Sequence, residues 1–329
     1  MTSGLKVAIV GATGVVGNAF LRVLEQRRSQ FVNFFLLASD RSHGQSLSFA
    51  EHEYSVTSVA SFDWDEHKID IAFFSAGNDI SRRYAPIARE AGCIVIDNSS
   101  AFRYDADIPL IVPEVNGDDL SPKKGMIIAN PNCSTLQMSL VLAPIYRAAG
   151  IKRVIVATYQ AVSGAGQGLL DTLRESHSSL SSIHANVIPQ IDVLEDNGYS
   201  REEMKMLWES RKILRIPDLL LSATAVRVPV ENGHSQAVVI ETSIPLSESE
   251  AYQCLESQRG LTVLKEGWVT PKEVSGQDNV VVSRVRQDLA FGETGLSCWI
   301  VGDNLLKGAA LNAVQIAERL LDAVNFSFR

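Results

Sequence analysis

The stretch VAIVGATGVVG at residues 7–17 decides the fold. Its first four residues are apolar and predict a buried strand, and its three glycines predict a tight turn that opens a helix. A strand, turn and helix in this order are typical of dinucleotide-binding folds, in which the helix N-terminus binds a pyrophosphate. The spacing is GxxGxxG rather than the usual GxGxxG, so a tight turn without a ligand is the alternative interpretation.

Short apolar runs and helical patterns alternate outward from this stretch. Strands are predicted at residues 33–39, 70–77 and 93–99, and helices near Val15–Gln26 and Ile80–Ala91. Such alternation is typical of parallel strands joined by helical crossovers. The first part of the chain is therefore predicted to be a doubly wound, Rossmann-like α/β domain.

The pattern changes after Lys152, where apolar runs follow one another with fewer helices between them. These runs lie at residues 153–162, 225–230, 236–244, 280–287 and 298–304. They predict a second, α+β domain with a mixed or antiparallel sheet. Apolar positions at helical spacing over Leu305–Val324 predict a long helix that packs on the first domain. We expect a dinucleotide-binding domain at residues 1–131, completed by the C-terminal helix at 305–329, and a second domain at 132–304.

Composition restricts the function classes. The chain has 329 residues, of which 46% are hydrophobic, and 30 basic residues against 38 acidic ones give a net charge of -8. This composition indicates a folded protein, and its acidic balance argues against nucleic acid or an anionic membrane as a partner. We find neither an apolar run of about 18 residues nor a signal peptide, so a cytoplasmic protein is expected.

Cysteines and histidines suggest no metal site. The four cysteines lie far apart without a CxxC pair, and the six histidines include no HExxH or other close pair. Disulfide frameworks and zinc sites have closer, regular spacings. We therefore expect free thiols and no bound metal.

The end of the second strand bears on the choice of nucleotide. Asp40 could bind a ribose hydroxyl, as in NAD enzymes, whereas Arg41 and Ser42 could bind the 2′-phosphate of NADP. We favour NADP.

Cys133 lies in NPNCST, residues 130–135, just ahead of an amphipathic helical pattern. The positive end of a helix lowers a cysteine pKa and favours the reactive thiolate. A buried structural cysteine is the alternative, and it is the interpretation we favour for Cys93, Cys254 and Cys298.

A second candidate group lies in RVPVENGH, residues 227–234. If its Asn-Gly pair forms a two-residue hairpin, Glu231 pairs with His234, and Arg227 lies on the same face as His234. Roughly 13 Å of strand between Arg227 and Glu231 would leave room for a small anion. A surface hairpin with a solvated histidine is the alternative.

Three further charged residues are candidates. Glu202 and Lys205 stand three apart on a predicted helix, and Arg103 follows a strand end, where ligands of doubly wound sheets bind. A solvated helix face and a solvent-exposed loop arginine are the alternatives.

The motifs together resemble the aspartate-semialdehyde dehydrogenase family, in the same order and over nearly the whole chain. They are GATGVVG, DNSSAFR, VPEVN, NPNCST, TYQAVSGAG, IPQIDV, EEMK, RVPVENGH and DNLLKGAA. The resemblance implies an NADP-binding domain, a catalytic and dimerisation domain, and a homodimer. The segment around residues 175–186 is shorter than is usual in the family, which bears on the dimer.

The resemblance also implies residue roles. Cys133 would be the nucleophile and His234 the acid/base, and Gln160 would orient the substrate. The substrate α-carboxylate and amino group would be bound by Arg227 and Glu202, and phosphate by Arg103 and Lys205. The positions matching cofactor contacts are Gly11, Thr13, Gly14, Val15, Val16, Arg41, Ser42, Ser163, Gly164 and Asn304.

The implied reaction is the reductive dephosphorylation of L-aspartyl 4-phosphate to L-aspartate 4-semialdehyde. It would be reversible, phosphate-dependent and NADP-dependent, would pass through a cysteine thioester, and would serve lysine, diaminopimelate, methionine and threonine biosynthesis. Two other functions are considered: an enzyme like N-acetyl-γ-glutamyl-phosphate reductase, and a catalytically silent paralogue. The NPNCST and EEMK segments fit the aspartyl enzyme better than the glutamyl one.

Overall fold

The computed structural model describes residues 4–27, 31–121, 123–174 and 183–323. The chain divides into two compact units, residues 1–131 with 309–329, and residues 132–308. The end of the predicted C-terminal helix, residues 324–329, and most of the shortened segment, residues 175–182, lie outside the described ranges. None of the helices within those ranges is long and apolar enough to span a membrane.

The first unit is built on a parallel sheet. Its strands are β1 (Leu5–Val10), β2 (Phe31–Ala38), β3 (Ser46–Phe49), β4 (His52–Ser55), β5 (Thr57–Ser58), β6 (Ile71–Phe74), β7 (Ile94–Asp97) and β8 (Met126–Ala129). Six of them form a sheet in the order β5-β2-β1-β6-β7-β8 with every pair parallel, while β3 and β4 form a separate antiparallel pair. The prediction of a doubly wound α/β domain is confirmed.

Helices cover the faces of this sheet, which explains its apolar sequence. They are α1 (Val15–Gln26), α2 (Trp64–His67), α3 (Asn78–Glu90) and α4 (Pro113–Asn116). The strands β6, β7 and β8 are buried at every position, as expected of parallel strands covered on both faces. On one face the ring of Phe20 from α1 stacks on Phe73 of β6, with ring centroids 4.9 Å apart.

The second unit is built on a mixed sheet, as predicted. Its strands are β9 (Ile151–Gln160), β10 (Leu220–Arg227), β11 (His234–Thr242), β12 (Leu261–Val263), β13 (Val280–Gln287) and β14 (Gly295–Gly302). They are ordered β10-β9-β11-β14-β13-β12. The β10–β9 and β12–β13 pairs are parallel, and the other pairs are antiparallel.

The described part of the second unit has five helices, of which α5 is central. They are α5 (Cys133–Ala149), α6 (Gln167–Arg174), α7 (Arg201–Leu214), α8 (Glu248–Glu256) and α9 (Pro271–Val274). The central helix α5 is buried along most of its length and contacts α7, α8 and the strands β9, β11, β13 and β14. Its first residue is Cys133, so the fold places the helix N-terminus of the unit's core at this cysteine.

The predicted hairpin at residues 227–234 is wrong. The strands β10 and β11 do not pair with each other, because β9 lies between them. Pro229 has no N–H to continue the ladder, and β10 ends at Arg227. The following residues bind the segment after β9 instead, with Val162 N–H donating to Val230 O and Ser163 N–H to Glu231 O.

The C-terminal segment enters its helix through a π-helical turn. This turn spans Leu306–Ala310, and the regular helix α10 (Leu311–Ala323) follows, rather than beginning at residue 305 as predicted. In the first unit α10 contacts α1 and α4, and Arg27 pairs with Glu318 at 3.0 Å. The side chain of Asn312 donates to Asn130 Oδ1 over 2.7 Å, which ties the helix to the end of β8.

Candidate active site

The turn between β1 and α1 requires glycine. Gly11 has φ +91°, in the left-handed region, and a Cβ on Gly17 would lie 2.1 Å from the Gly11 carbonyl oxygen. No side chain caps α1 at its N-cap residue, Gly14. The backbone cradle and the uncapped helix N-terminus fit a pyrophosphate group.

The predicted nucleotide-selecting residues form a short turn after β2. Arg41 is exposed, and Ser42 Oγ lies 3.5 Å from Thr13 Oγ1 in the glycine-rich turn. The carboxylate of Asp40 accepts a hydrogen bond from the Ser58 hydroxyl. The Asp40 carboxylate is thus engaged in a hydrogen bond with a residue of the neighbouring strand β5.

Arg103 lies in the first unit, in the loop after β7. Its guanidinium is buried and donates to the Asn98 carbonyl over 2.9 Å. Asp97 anchors the start of this loop by accepting from Ser81 Oγ at 2.6 Å and Ser99 Oγ at 2.7 Å. Burial raises the pKa of Asp97 although the two serines and the charge of Arg103 act to lower it.

In the second unit, three predicted residues lie on adjacent strand ends. Gln160 ends β9 and is paired with Arg227 at the end of β10, while His234 begins β11 on the other side of β9. All three side chains are buried. The topology therefore brings Arg227 and His234 together, although not through the hairpin that the sequence suggested.

The two ring nitrogens of His234 differ in their contacts. Nδ1 accepts a hydrogen bond from the Ala161 N–H over 3.0 Å, and no partner of Nε2 is found among the described residues. A Cβ on Gly164 would lie 3.2 Å from Nε2 and 3.3 Å from Arg227 Nη1. Burial, followed by the charge of Arg227, lowers the pKa of His234 to about 3, so the ring is neutral at physiological pH.

Arg227 is bound by Ala161, the residue that also binds His234. Its Nη1 donates to the Ala161 carbonyl over 2.7 Å. Burial lowers its pKa, whereas the negative charges of Glu202 and of a Cys133 thiolate act to raise it. Guanidinium groups remain protonated in proteins, so Arg227 is a buried cation within electrostatic range of Cys133.

The pair Glu202 and Lys205 lies on α7, which begins with a capping box between Ser200 and Glu203. Lys205 Nζ donates to Glu202 over 3.1 Å and to Asp192 over 2.9 Å. Burial alone would raise the pKa of Glu202, but the charge of Lys205 and the hydrogen bonds from Asn132, Lys205 and Gln160 outweigh it and lower the pKa. The buried Glu202 and the half-buried Lys205 thus form an ion pair rather than a solvated helix face.

The start of α5 fixes Cys133. The preceding residue, Asn132, caps the helix by accepting from Ser134 N–H at 3.0 Å and Thr135 N–H at 3.1 Å. Gly308 packs against the cysteine so closely that a Cβ there would lie 2.9 Å from Cys133 Cβ. Cys133 is half-buried at the positive end of a seventeen-residue helix.

The other cysteines have a different environment. Burial raises the pKa of Cys93, Cys254 and Cys298, in the last case to about 12. Raised pKa values favour the protonated form of these thiols, which is the less reactive one. In the described part of the chain, no group of three His, Cys, Asp or Glu residues is arranged to hold a metal ion.

The predicted cofactor positions in the second unit form one network beside His234. Asn304 Nδ2 donates to Ser163 Oγ over 2.9 Å, and Asn304 Oδ1 accepts from the Gly233 N–H over 2.8 Å. Gly164 follows Ser163 and faces the His234 ring. Asn304 therefore supports the backbone that carries His234.

Sequence reasoning missed three residues in contact with this site. Asn132 and Glu209 join the N-terminus of α5 to α7, and Asp192 binds Lys205. Glu209 lies seven residues after Glu202, two helical turns along the same face, and this spacing is a signal that the sequence contained. Asp192 carries no such signal, because its contact depends on how a loop folds back.

Comparison with known families gives two matches. The sequence profile of a semialdehyde dehydrogenase NAD binding domain matches residues 6–122, and that of a semialdehyde dehydrogenase dimerisation domain matches residues 142–307. Together the two matches span most of the chain.

Individual proteins are similar over their whole length. The aspartate-semialdehyde dehydrogenase of Legionella pneumophila is 48% identical over 339 positions, covering 97% of this chain and 96% of that protein. A crystal structure of aspartate semialdehyde dehydrogenase II from Vibrio cholerae complexed with ASA matches with a TM-score of 0.91 and 44% identity, covering 98% and 99% of the two chains. The aspartate semialdehyde dehydrogenase of Candida albicans with NADP matches with a TM-score of 0.81 and 26% identity, covering 98% of this chain and 99% of that one.

Proposed function

The chain belongs to the aspartate-semialdehyde dehydrogenase family, and on this premise we propose that it is an NADP-dependent aspartate-semialdehyde dehydrogenase. It would reduce L-aspartyl 4-phosphate to L-aspartate 4-semialdehyde, reversibly and with phosphate as the other product. The observation that carries this proposal is the grouping, within one unit, of Cys133 at a helix N-terminus with the buried Arg227, Glu202 and neutral His234.

Cys133 is proposed as the nucleophile. The N-terminus of α5 and the charge of Arg227 both favour the thiolate. In the oxidative direction the thiolate attacks the aldehyde carbon, a C–S bond forms, and the carbonyl electron pair moves to oxygen. After loss of hydride the substrate is a thioester of Cys133; a phosphate oxygen attacks it, the C–S bond breaks, and the thiolate is restored.

His234 is proposed to act on the substrate oxygen. Because Nδ1 accepts from Ala161, the proton of the neutral ring is at Nε2, the ring atom beside Gly164. A neutral imidazole can stabilise a developing oxyanion by donating its N–H. The acid/base role predicted for His234 is therefore proposed as a hydrogen bond donated by the Nε2–H to the substrate oxygen, without transfer of that proton.

The substrate's charged ends match charged side chains. A bidentate interaction of Arg227 would fix the α-carboxylate, and the ionised Glu202 would bind the amino group. Gln160, whose Nε2 lies 3.2 Å from Glu202 Oε1, would orient the substrate beside that carboxylate. Arg103 and Lys205 are proposed as phosphate ligands, and both are cations held by named contacts.

NADP is the proposed cofactor, and when bound it would accept or supply the hydride. The glycine turn at residues 11–17 fits the pyrophosphate, and Arg41 with Ser42 would bind the 2′-phosphate. The Ser58 hydroxyl holds the Asp40 carboxylate, which supports NADP over NAD because Asp40 is then engaged away from a ribose hydroxyl. Ser163, Gly164 and Asn304 are proposed as further contacts.

A homodimer is the proposed assembly. One face of the second sheet exposes large apolar side chains, with Ile155 of β9 47% exposed and Leu220 of β10 57% exposed. Exposed apolar patches of this kind mark protein interfaces. All four cysteines are free thiols, which supports the reducing cytoplasm as the proposed location. The proposed role there is lysine, methionine and threonine synthesis.

The test is nicotinamide absorbance on mixing the protein with L-aspartate 4-semialdehyde and NADP+, with and without phosphate. We expect reduction that requires phosphate and that is slower with NAD+. The Cys133→Ala protein is the matched control and should give no signal. Reduction of NADP+ only with the glutamyl analogue would replace the proposal by the reductase of that substrate, and silence with both would indicate a silent paralogue.

A further inference from the structure

The residue before Cys133 is bound twice by helix α7. Asn132 Nδ2 donates to Glu202 Oε1 over 2.8 Å, and the Asn132 backbone N–H donates to Glu209 Oε2 over 2.6 Å. The two glutamates are seven residues apart on one face of α7. Glu202 is already proposed to bind the substrate, whereas Glu209 has no role in the reaction described above.

Glu209 is fully buried at the base of the site. Burying a carboxylate is costly unless hydrogen bonds compensate for its lost hydration, and a mere packing role would be filled better by an apolar side chain. The bond from the Asn132 N–H to Glu209 is short, at 2.6 Å, which makes it strong and directional. The carboxylate therefore fixes one peptide unit at the start of α5.

That peptide unit determines where the nucleophile lies. Asn132 has φ -58° and ψ 141°, and its ψ sets the direction in which the first helical residue, Cys133, leaves the cap. On the opposite side Gly308 limits the space for Cys133 Cβ. Movement of Asn132 would thus shift Sγ relative to the helix N-terminus and to the buried Arg227.

We propose that Glu209 is a positioning residue for catalysis: through the Asn132 N–H it holds Cys133 Sγ at the helix N-terminus, in line with the substrate carbonyl. The proposal rests on Cys133 being the nucleophile proposed above. It predicts that the length of the side chain at position 209 matters for thiolate formation and for kcat, but not for substrate or cofactor affinity.

Two variants test the hydrogen bond between the side chain at position 209 and the Asn132 N–H separately from the charge of that side chain. Glu209→Asp keeps the charge and withdraws the carboxylate by one methylene, so we expect kcat to fall by about tenfold or more with each KM within about twofold. We also expect the pH midpoint of Cys133 alkylation by iodoacetamide to rise, because Sγ leaves the helix N-terminus. Glu209→Gln keeps length and acceptor, and should retain kcat within about threefold.

Glu203→Asp is the matched control on the same helix. Glu203 accepts from the Ala225 N–H over 2.8 Å and closes the capping box, so its shortening should lower the thermal midpoint. The alkylation profile of Cys133 should not move in this variant. If Glu209 had only a structural role, Glu209→Asp would likewise lower the thermal midpoint and leave the alkylation profile of Cys133 unmoved. That result would overturn the proposal.

Other outcomes are equally decisive. Equal losses of kcat in Glu209→Gln and Glu209→Asp would overturn a role for the hydrogen bond. If Glu209→Asp does not fold, Glu209→Gln alone decides: a fall of kcat to below about one tenth of the parent value would also overturn a role for the hydrogen bond. Because alkylation needs no turnover, it tests positioning even if the parent protein does not oxidise aspartate semialdehyde, so the two proposals fail separately.

Discussion

The Ala161 N–H donates to Nδ1 of His234 over 3.0 Å, and this bond decides where the imidazole carries its proton. A ring nitrogen that accepts a backbone N–H cannot itself bear hydrogen, so the neutral ring is protonated at Nε2. Burial of the ring and then the charge of Arg227 oppose a second proton and lower the pKa of His234 to about 3. His234 therefore differs from a solvated histidine in both charge and tautomer.

The first prediction concerns stability against pH. The folded protein keeps His234 neutral down to about pH 3, whereas the unfolded chain protonates it near its ordinary pKa of 6.5. The unfolded state binds more protons in this window, so stability is lost as pH falls, at about 1.4 kcal/mol per unit. Between about pH 6.5 and 5 the parent should lose about 2 kcal/mol more than His234→Asn, measured by urea unfolding.

The exposed His52 supplies the control for this measurement. His52→Gln removes an exposed imidazole instead of the buried one, and the pH dependence of unfolding should differ from the parent's less in this variant than in His234→Asn. Parallel pH dependences in the parent and His234→Asn would contradict a buried neutral imidazole.

The second prediction tests the nucleophile. Cys133→Ala should abolish turnover, because no thioester can form, while NADP binding measured by titration calorimetry stays unchanged. Cys254→Ala removes a thiol whose pKa is raised by burial and should keep kcat within about twofold. Measurable phosphate-dependent turnover in Cys133→Ala would remove this residue from the mechanism.

Local patterns made the fold and several site residues predictable. The glycines of residues 11–17 predicted a strand, turn and helix because φ and close packing at Gly11 and Gly17 exclude a side chain. Cys133 was placed at a helix start because an amphipathic run follows it in sequence. The helix under Glu202 and Lys205 followed from the same kind of short-range signal.

Long-range pairing could not be predicted in this way. The two-residue hairpin before His234 failed because the choice of partner for β11 depends on β9, more than 70 residues earlier, rather than on the turn. The hydrogen bonds of Glu209 with Asn132 and of Asp192 with Lys205 likewise join segments that come close only after folding, so they could not be predicted from local sequence.

The third prediction tests the carboxylate site. Arg227→Leu removes a buried cation and should raise the KM for aspartate semialdehyde on the order of 100-fold, with a lower kcat because the carbonyl is misplaced. Arg227→Lys keeps the charge but not the planar fork, so it should recover only part of the loss. Steady-state kinetics with phosphate and NADP+ saturating measure both effects, and an unchanged kcat/KM in Arg227→Leu would exclude Arg227 from the site.

The fourth prediction tests the packing behind Cys133. A methyl group in Gly308→Ala would lie 2.9 Å from Cys133 Cβ, so one of the two backbones must move. We expect kcat to fall by about tenfold or more, because a shift of about 1 Å at the nucleophile is costly. Gly168→Ala, in α6 with nothing within 4 Å of its added Cβ, should retain activity. Equal kcat values in the two variants would show that the site tolerates the displacement.

The fifth prediction concerns phosphate. Lys205 Nζ forms ion pairs with Asp192 Oδ2 at 2.9 Å and with Glu202 Oε2 at 3.1 Å, so two negative charges flank the lysine. A phosphate oxygen that approaches Lys205 meets the repulsion of the Asp192 carboxylate, which is partly exposed. Asp192→Asn removes this charge and should lower the KM for phosphate by about threefold or more, while the KM for aspartate semialdehyde stays within about twofold.

Glu195→Gln is the control for this effect, because Glu195 lies in the same segment but pairs with Arg201 instead. Its KM for phosphate should equal that of the parent. A higher KM for phosphate in Asp192→Asn would mean that the carboxylate holds Lys205 in its binding position, and that this contribution exceeds the repulsion. Measuring the phosphate KM at low and high ionic strength separates the repulsion of phosphate by Asp192 from the positioning of Lys205. Screening weakens the repulsion from an exposed charge more than it weakens a buried contact.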